Sequence, residues 1–304
     1  MSQAARARVL ALLAEESKAT PSPAFSLISP FIRELAREKY DSAFAAIKAY
    51  IRAGDCYQVN LTQRVSAAVN GSPLAAYLQL RARMPAPFSA FLHWNDTALL
   101  SVSPERFVQL TGDQVLTQPI KGTRPRHRDP ELDQAAAEAL RASEKDQSEN
   151  LMIVDLLRND LGRVCVTGSV QTRALFALRS FSNVHHLVSS VCGRLLPTLD
   201  GLDLLRACFP GGSITGAPKL RAMAIIEELE QAPRRLYCGS AFYLSCCGRF
   251  DSSITIRSLL WEAGQLLCWA GGGIVDDSEV DAEYAECFDK IGAIIQALSE
   301  PGPA

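Results

Sequence analysis

The chain is poor in the residues that usually advertise a metal or redox centre. Histidine occurs four times, as His93, His127, His185 and His186, with no HExxH-like spacing. A histidine-based metal site is therefore not expected. The nine cysteines are an odd number and contain no CxxC pair. Cys246 and Cys247 are adjacent, and several others stand in apolar stretches. They are expected to be reduced core residues, not a disulfide frame or a zinc site. Basic charge is not in excess, because the formal net charge is −2. That removes the electrostatic footprint of a nucleic-acid binder. No run of about 18 apolar residues is present to span a bilayer. Met1-Ser2-Gln3-Ala4 begins no apolar core of the secretory kind. Together these absences predict a cytoplasmic protein.

What is present is material for a large core. The 304 residues are 48% hydrophobic, which suits one large domain or two ordinary ones. Residues 1–30 are weakly patterned: a helix over 4–16 runs into a Ser/Pro-rich stretch ending at Pro30. They read as an N-terminal remnant or linker before one catalytic domain over 31–300. A helix fits Asp41–Ala53, with Asp41 as cap, Phe44, Ile47 and Ile51 on one face and Gly54 as stop. Cys56–Val69 alternates apolar and polar residues, the pattern of a half-buried strand. Short strands follow near 89–94, 98–102, 106–110 and 114–118. Their connections are too short for crossover helices, so the pairing should be antiparallel. Helices fit Pro130–Ala142, Ser148–Asn159, Pro218–Glu230 and Glu279–Leu298. Strands fit Tyr237–Cys246, Asp251–Glu262 and Gln265–Ala270. Strands in runs with helices outside them predict an α+β fold.

Eight segments carry candidate chemistry. Lys121, in Pro119-Ile-Lys-Gly-Thr123, has no acidic residue within seven positions on either side. Pro119 and Gly122 predict a tight bend there, with Arg124 and Arg126 as neighbouring cations. Nearby cations or desolvation make a lysine nucleophilic; a solvated loop lysine is the alternative. Glu105 stands sixteen residues earlier in Ser103-Pro-Glu-Arg-Phe107. It is a general acid if the fold brings it to Lys121, and otherwise an ion-pair partner of Arg106. Asp146 and Glu149 share one helix face, and Glu283 and Glu286 another. Brought together, they suit a hard cation such as Mg²⁺; kept apart, they are solvated faces. Phe209–Lys219 is glycine-rich, and Ser213 or Thr215 could cap the helix that follows. Gly271-Gly272-Gly273 lets backbone amides approach a carboxylate, although it matches no dinucleotide fingerprint. Arg257 lies among Ile254, Ile256 and Leu259, where it either pairs with a protein carboxylate or clamps a substrate carboxylate. His186 is equally a core histidine or a site residue.

In combination these segments resemble the chorismate-utilising enzymes, the anthranilate synthase component I family. Within that family they are most similar to the aminodeoxychorismate synthase branch. The resemblance runs from about Lys39 to Leu298. It includes Gly54-Asp-Cys-Tyr-Gln-Val-Asn60, Glu149-Asn-Leu-Met-Ile-Val-Asp155, Arg158-Asn-Asp160, His185-His-Leu-Val-Ser189 and Ile254-Thr-Ile-Arg257. It implies antiparallel sheets packed face to face with helices outside. It implies a synthase that converts chorismate and ammonia to 4-amino-4-deoxychorismate for 4-aminobenzoate and folate, with Mg²⁺ as cofactor. The ammonia would come from a glutamine amidotransferase partner. Lys121 falls on the nucleophile that adds at C2 of chorismate, and Glu105 on the acid that protonates the leaving C4 hydroxyl. Glu149 and Glu286 fall on the metal ligands, with Glu283 and Asp146 in support. Gly122, Thr123, Tyr237, Arg257, Gly271, Gly272 and Gly273 fall on substrate-carboxylate positions, and His186 on a histidine beside the ring. Anthranilate synthases resemble the chain widely but carry alanine at the position of Lys121. Family members are longer at the N-terminus, where they supply strands to both sheets and half of a tryptophan pocket. Pro87, Phe88 and Ser89 would be the other half, and exposed apolar sheet edges are expected. Phe242 stands where glycine is usual and would crowd Tyr237. Anthranilate synthase activity and a catalytically silent binding subunit are the two other readings.

Overall fold

The computed structural model describes residues 2–14, 23–181 and 184–300. The chain opens with α1 (Gln3–Ala14), β1 (Ser26–Leu27), β2 (Ile32–Arg33) and α2 (Arg37–Arg52). Then come β3 (Gln58–Asn70), α3 (Pro73–Arg83), β4 (Phe88–Trp94), β5 (Thr97–Ser103), β6 (Arg106–Thr111), β7 (Gln114–Thr117) and β8 (Ile120–Pro125). The middle holds α4 (Pro130–Arg141), α5 (Glu144–Gly162), β9 (Gln171–Ser180), β10 (Val184–Arg194) and α6 (Gly201–Cys208). The last part is β11 (Gly216–Ala217), α7 (Lys219–Leu229), β12 (Ser240–Leu244), β13 (Phe250–Ile254), β14 (Ser258–Glu262), β15 (Gln265–Ile274) and α8 (Val280–Ser299). Glu15 and Glu16, the expected end of the first helix, lie outside the described residues.

These strands form two antiparallel sheets, as the short connections require. The first follows the order β1-β3-β15-β14-β5-β4, with β2 and β11 also on β3. The second follows β12-β13-β6-β7-β10-β8, with β9 on β10. One core joins them. Leu260, Leu267 and Trp269 of the first sheet share it with Phe107, Val115, Val191 and Phe250 of the second. Helices α5 and α6 enter the same core through Val154, Leu161, Leu204 and Cys208. A second cluster holds α3 and α8 on the first sheet through Tyr77, Leu80, Cys287 and Ile291. Each such side chain, fully buried, contributes about 1.5–3 kcal/mol.

Several elements differ from the sequence reading. Asp41 lies inside α2 and pairs with Arg37 at 2.6 Å instead of capping the helix. Strand β3 is buried on both faces, not one. Its polar face is turned into the molecule, where the Thr62 amide and hydroxyl donate to Glu230 Oε1 at 2.9 and 2.8 Å. The expected single strand 251–262 is two strands in different sheets, β13 and β14. The glycine triplet is not a loop after a strand but the end of β15, paired with β3. Neither Ser213 nor Thr215 caps α7: Ser213 bonds Glu105 and Thr215 bonds the Gly211 carbonyl. Helix α3, strands β9 and β10 and helix α6 have no counterpart in the sequence reading. The edge strand β12 exposes Phe242, Tyr243 and Leu244, and β4 exposes Leu92 and Trp94. These are the apolar edges the sequence leads one to expect.

Candidate active site

Two of the chain's crossings between the sheets meet at one seam. Pro104–Glu105 carries the chain from β5 to β6, and Thr255–Arg257 from β13 to β14. The Glu105 carbonyl accepts from the Ile254 amide at 3.2 Å, and the Arg257 carbonyl accepts from the Val102 amide at 3.0 Å. Arg257 makes its turn with φ of 52°, in the left-handed region. It is thus not inside a strand, as its sequence setting suggested. Its guanidinium donates to the Lys290 carbonyl, and no ion pair is found for it among the described residues. Burial pushes that guanidinium below its ordinary pKa. A largely buried cation without a carboxylate is a costly arrangement that an anionic ligand relieves.

Lys121 lies on strand β8, not on a bend. The register on β10 jumps from His186 opposite Thr123 to Leu187 opposite Lys121, so Gly122 is the extra residue of a β-bulge. Its φ of +74° is one that glycine adopts without strain. A Cβ at Gly122 would fall 2.7 Å from Leu140 and 2.9 Å from Asp146. The bulge re-aims Lys121 toward α5, where Nζ stands 3.3 Å from Oε2 of Glu149. Arg124 and Arg126 do not flank it as expected. Arg124 turns to Asp146 at 3.4 Å and Arg126 to Asp133 at 2.8 Å.

Glu105 is only 5% exposed. Burial raises its carboxyl to about 7, against the opposing pull of Ser213, the Lys121 charge and the Ile120 amide. Its Oε1 accepts from Ser213 Oγ at 2.9 Å. Arg106 is not its partner; it pairs with Asp251 at 3.1 Å. A small cavity opens beside Glu105, between Pro119, Leu157, Gly211 and Ser213. A carboxyl that holds its proton near neutral pH, beside an ammonium, has the profile of a general acid.

Glu149 of one acidic face and Glu283 and Glu286 of the other act on one cation, Lys145, while Asp146 turns to Arg124. Lys145 reaches from α5 to Glu283 on α8, 3.5 Å away. Burial alone would lower that ammonium, but Glu283, Glu149 and Glu286 together hold it above its ordinary value. Burial likewise raises the Glu286 carboxyl, and Lys290, Lys145 and Lys121 overcome this to hold it low. Glu283 accepts from Ser278 Oγ at 2.7 Å. The donor set is all oxygen, and a protein cation already stands where these acids converge. That fits a hard cation completed by water and substrate. Among the described residues no three acidic, His or Cys groups close around a point by themselves.

The remaining expected residues frame this centre. His186 Nδ1 lies 3.0 Å from Thr123 Oγ1 and 3.3 Å from the Gly122 carbonyl. Burial lowers its pKa against the opposing bond to the Gly122 carbonyl, which favours the neutral imidazole. Tyr237 is buried and stacked on Trp269 at 6.1 Å, and burial raises its phenol well above the ordinary value. A Cβ on Gly271, Gly272 or Gly273 would lie 2.4 Å from the Leu61 carbonyl, 2.6 Å from Glu283 and 2.6 Å from Gln58, respectively. Phe242 stacks on Phe250 at 5.4 Å and is 51% exposed, so the expected crowding of Tyr237 does not follow. Pro87 precedes edge strand β4, which Phe88 and Ser89 begin, with Phe88 under the Arg106 guanidinium at 5.2 Å. Sequence reasoning missed Lys145, Lys290, Asn60 and the bond from Ser213 to Glu105. Lys145 beside Asp146, and Lys290 four residues after Glu286, were the only signals available.

Two antiparallel sheets sharing one core, with helices outside and a polar seam between the sheets, make a mixed α+β fold. The chain belongs to the chorismate binding enzyme family, whose pattern matches residues 2–296. It is 53% identical to an aminodeoxychorismate synthase component 1 from Klebsiella aerogenes, over 93% of this chain and 63% of that protein. It is 41% identical to an anthranilate synthase component 1 from Pseudomonas putida, over 86% of this chain and 53% of that protein. The crystal structure of anthranilate synthase component I from Streptococcus pneumoniae superposes with a TM-score of 0.85 at 36% identity. That match covers 97% of this chain and 67% of the other. The chain thus spans about three fifths of the length of the aminodeoxychorismate synthase relatives it matches. No described helix is long and apolar enough to cross a membrane.

Proposed function

We propose that this chain catalyses amination of chorismate to 4-amino-4-deoxychorismate, a step toward 4-aminobenzoate and folate in the cytoplasm. The observation that carries the reading is Lys121, which the Gly122 bulge turns toward Glu149 and whose charge acts on Glu105. Lys121, once deprotonated, adds at C2 of the ring. The double bond shifts, and the C4 hydroxyl leaves as water with the proton of Glu105. Ammonia then adds at C4, the double bond returns and Lys121 departs. The ammonia is supplied by a glutamine amidotransferase partner, in keeping with the component 1 naming of the relatives. Arg257 and the amides of the Gly271–Gly273 stretch receive the two carboxylates, with Thr123 and Tyr237 beside them. Neutral His186 lies along the ring, held by Thr123. Glu149 and Glu286, with Glu283 and Asp146 behind them, would hold Mg²⁺. When bound, the ion offsets the charge of a substrate carboxylate and polarises the ring.

Lys121 favours this reading over anthranilate synthesis, although relatives of that name are similar too. The test is incubation of the protein with chorismate, Mg²⁺ and ammonium, with the product identified by mass and chromatography. Aminodeoxychorismate from the parent and none from Lys121→Ala is the expected result. Anthranilate as product would overturn the assignment, and equal activity of the variant would overturn the role of the lysine.

A further inference from the structure

The seam between the sheets contains a buried polar chain that ends on Glu105. Gln58 Nε2 donates to Asn60 Oδ1 at 2.9 Å. Asn60 Nδ2 donates to the Ser213 carbonyl at 3.0 Å. Ser213 Oγ donates to Glu105 Oε1 at 2.9 Å. Gln58 and Asn60 belong to β3 of the first sheet, and Glu105 borders β6 of the second. Ser213 lies in the helical turn Gly212–Ile214, tied to β3 again by the Asn60 amide bonding the Thr215 carbonyl at 2.9 Å. Gln58 and Asn60 are 0% and 9% exposed. A hydroxyl whose own backbone is anchored from a neighbouring strand is held in place, because both ends of its residue are fixed.

We infer that Ser213, fixed by Asn60, is a positioning residue that sets the orientation and proton affinity of Glu105. This rests on reading Glu105 as the acid of the proposed reaction. The other groups facing the carboxyl are few. Lys121 contributes its charge from β8, and the Ile120 amide faces it from the same strand. Arg106 lines the adjoining cavity but is engaged with Asp251. Leu157 of α5 and Ile254 of β13 bring no charge. Among the described residues Ser213 is thus the one neutral side-chain donor on the carboxyl, and burial is the force it opposes. A donor to a carboxylate favours its charged form. Its removal raises the carboxyl's proton affinity and frees its rotation.

Serine's effect has a signature that a packing role lacks. An acid must be protonated to act, so activity falls as pH rises through its pKa. In Ser213→Ala that alkaline limb of kcat/KM should move up by about one pH unit, and kcat should fall about tenfold. Ser213→Thr, which keeps the hydroxyl, should restore both. Ser213→Cys, with a weak donor of similar size, should behave like alanine. Each variant is made in the full chain, checked for a native circular dichroism spectrum and assayed with chorismate and ammonium. A parental limb in a folded Ser213→Ala or Ser213→Cys, whether or not the rate falls, overturns the inference. Glu105→Gln is run in parallel. If it keeps parental activity and its limb, the acid reading itself fails; if it is inactive while Ser213→Ala is silent, only the positioning role fails.

Discussion

Glu105 should make the folded protein less stable above neutral pH, and Glu105→Gln should remove that penalty. The carboxyl is raised from an ordinary 4.5 to about 7, first by burial, with Ser213, Lys121 and the Ile120 amide opposing. Below about pH 4.5 folded and unfolded chains both hold this proton, and the group is neutral in the balance. Between 4.5 and 7 the unfolded chain releases the proton while the folded chain keeps it, so stability falls with rising pH. Above 7 the folded carboxyl is ionised as well, and the penalty is complete. At about 1.4 kcal/mol per pH unit the full cost is about 3 kcal/mol. Glutamine has the same shape, keeps an oxygen to accept from Ser213 and never ionises. Urea unfolding of both proteins at pH 5 and pH 8.5 measures the difference. The variant should gain little at pH 5 and about 3 kcal/mol at pH 8.5, while losing the amination activity. An equal gap at the two pH values, or a less stable variant at pH 8.5, would refute a buried carboxyl strained by ionisation.

Three other predictions concern the surroundings of that carboxyl. Lys121→Ala should bind Mg²⁺ severalfold more tightly than the parent, because it removes the ammonium that stands 3.3 Å from Glu149; unchanged or weaker affinity by titration calorimetry contradicts a shared carboxylate. Gly271→Ala should lower the melting temperature by an amount equivalent to about 1–3 kcal/mol. Its Cβ would lie 2.4 Å from the Leu61 carbonyl, a backbone atom fixed in the sheet, and a parental melting curve would show that the strands can part there. Arg257→Ala should raise KM for chorismate by about ten- to a hundredfold. A kcat loss with parental KM would mean that the guanidinium acts only at the transition state.

The parts of this fold that sequence reveals are those decided locally. Asp129 with Pro130 marks the start of α4, since caps and first-turn prolines act within a few residues. The short connections among β4 to β7 already require antiparallel strands. What sequence could not reveal is where the chain changes sheets. Ser252–Leu260 reads as one apolar alternation, yet its two halves pair with β6 and β5 in different sheets. Nothing in the alternation marks the break, because both halves are buried. The same blindness hid the Gly122 bulge. A glycine after a lysine suggests a turn from local propensity, and only the partner strand β10 shows that the strand continues with one residue to spare.

The site itself was legible as a set of acids and bases but not as a set of pairs. Each acidic candidate faces a cation that the sequence places elsewhere: Glu149 faces Lys121, Asp146 faces Arg124, Glu283 faces Lys145 and Glu286 faces Lys290. Only the last pair, four residues apart on one helix, could be read from spacing. The pairing has a chemical consequence. Four carboxylates against four cations leave this cluster without net charge, so the protein can keep all eight in a partly buried place. Chorismate as a dianion and Mg²⁺ as a dication also sum to zero. Under the proposed function both can enter together without unbalancing the cluster, whereas either alone would leave it with uncompensated charge. Binding of the two should then be mutually dependent, and the lysines paired with Glu149 and Glu286 would have to give up those carboxylates to a metal. Lys121 is one of them.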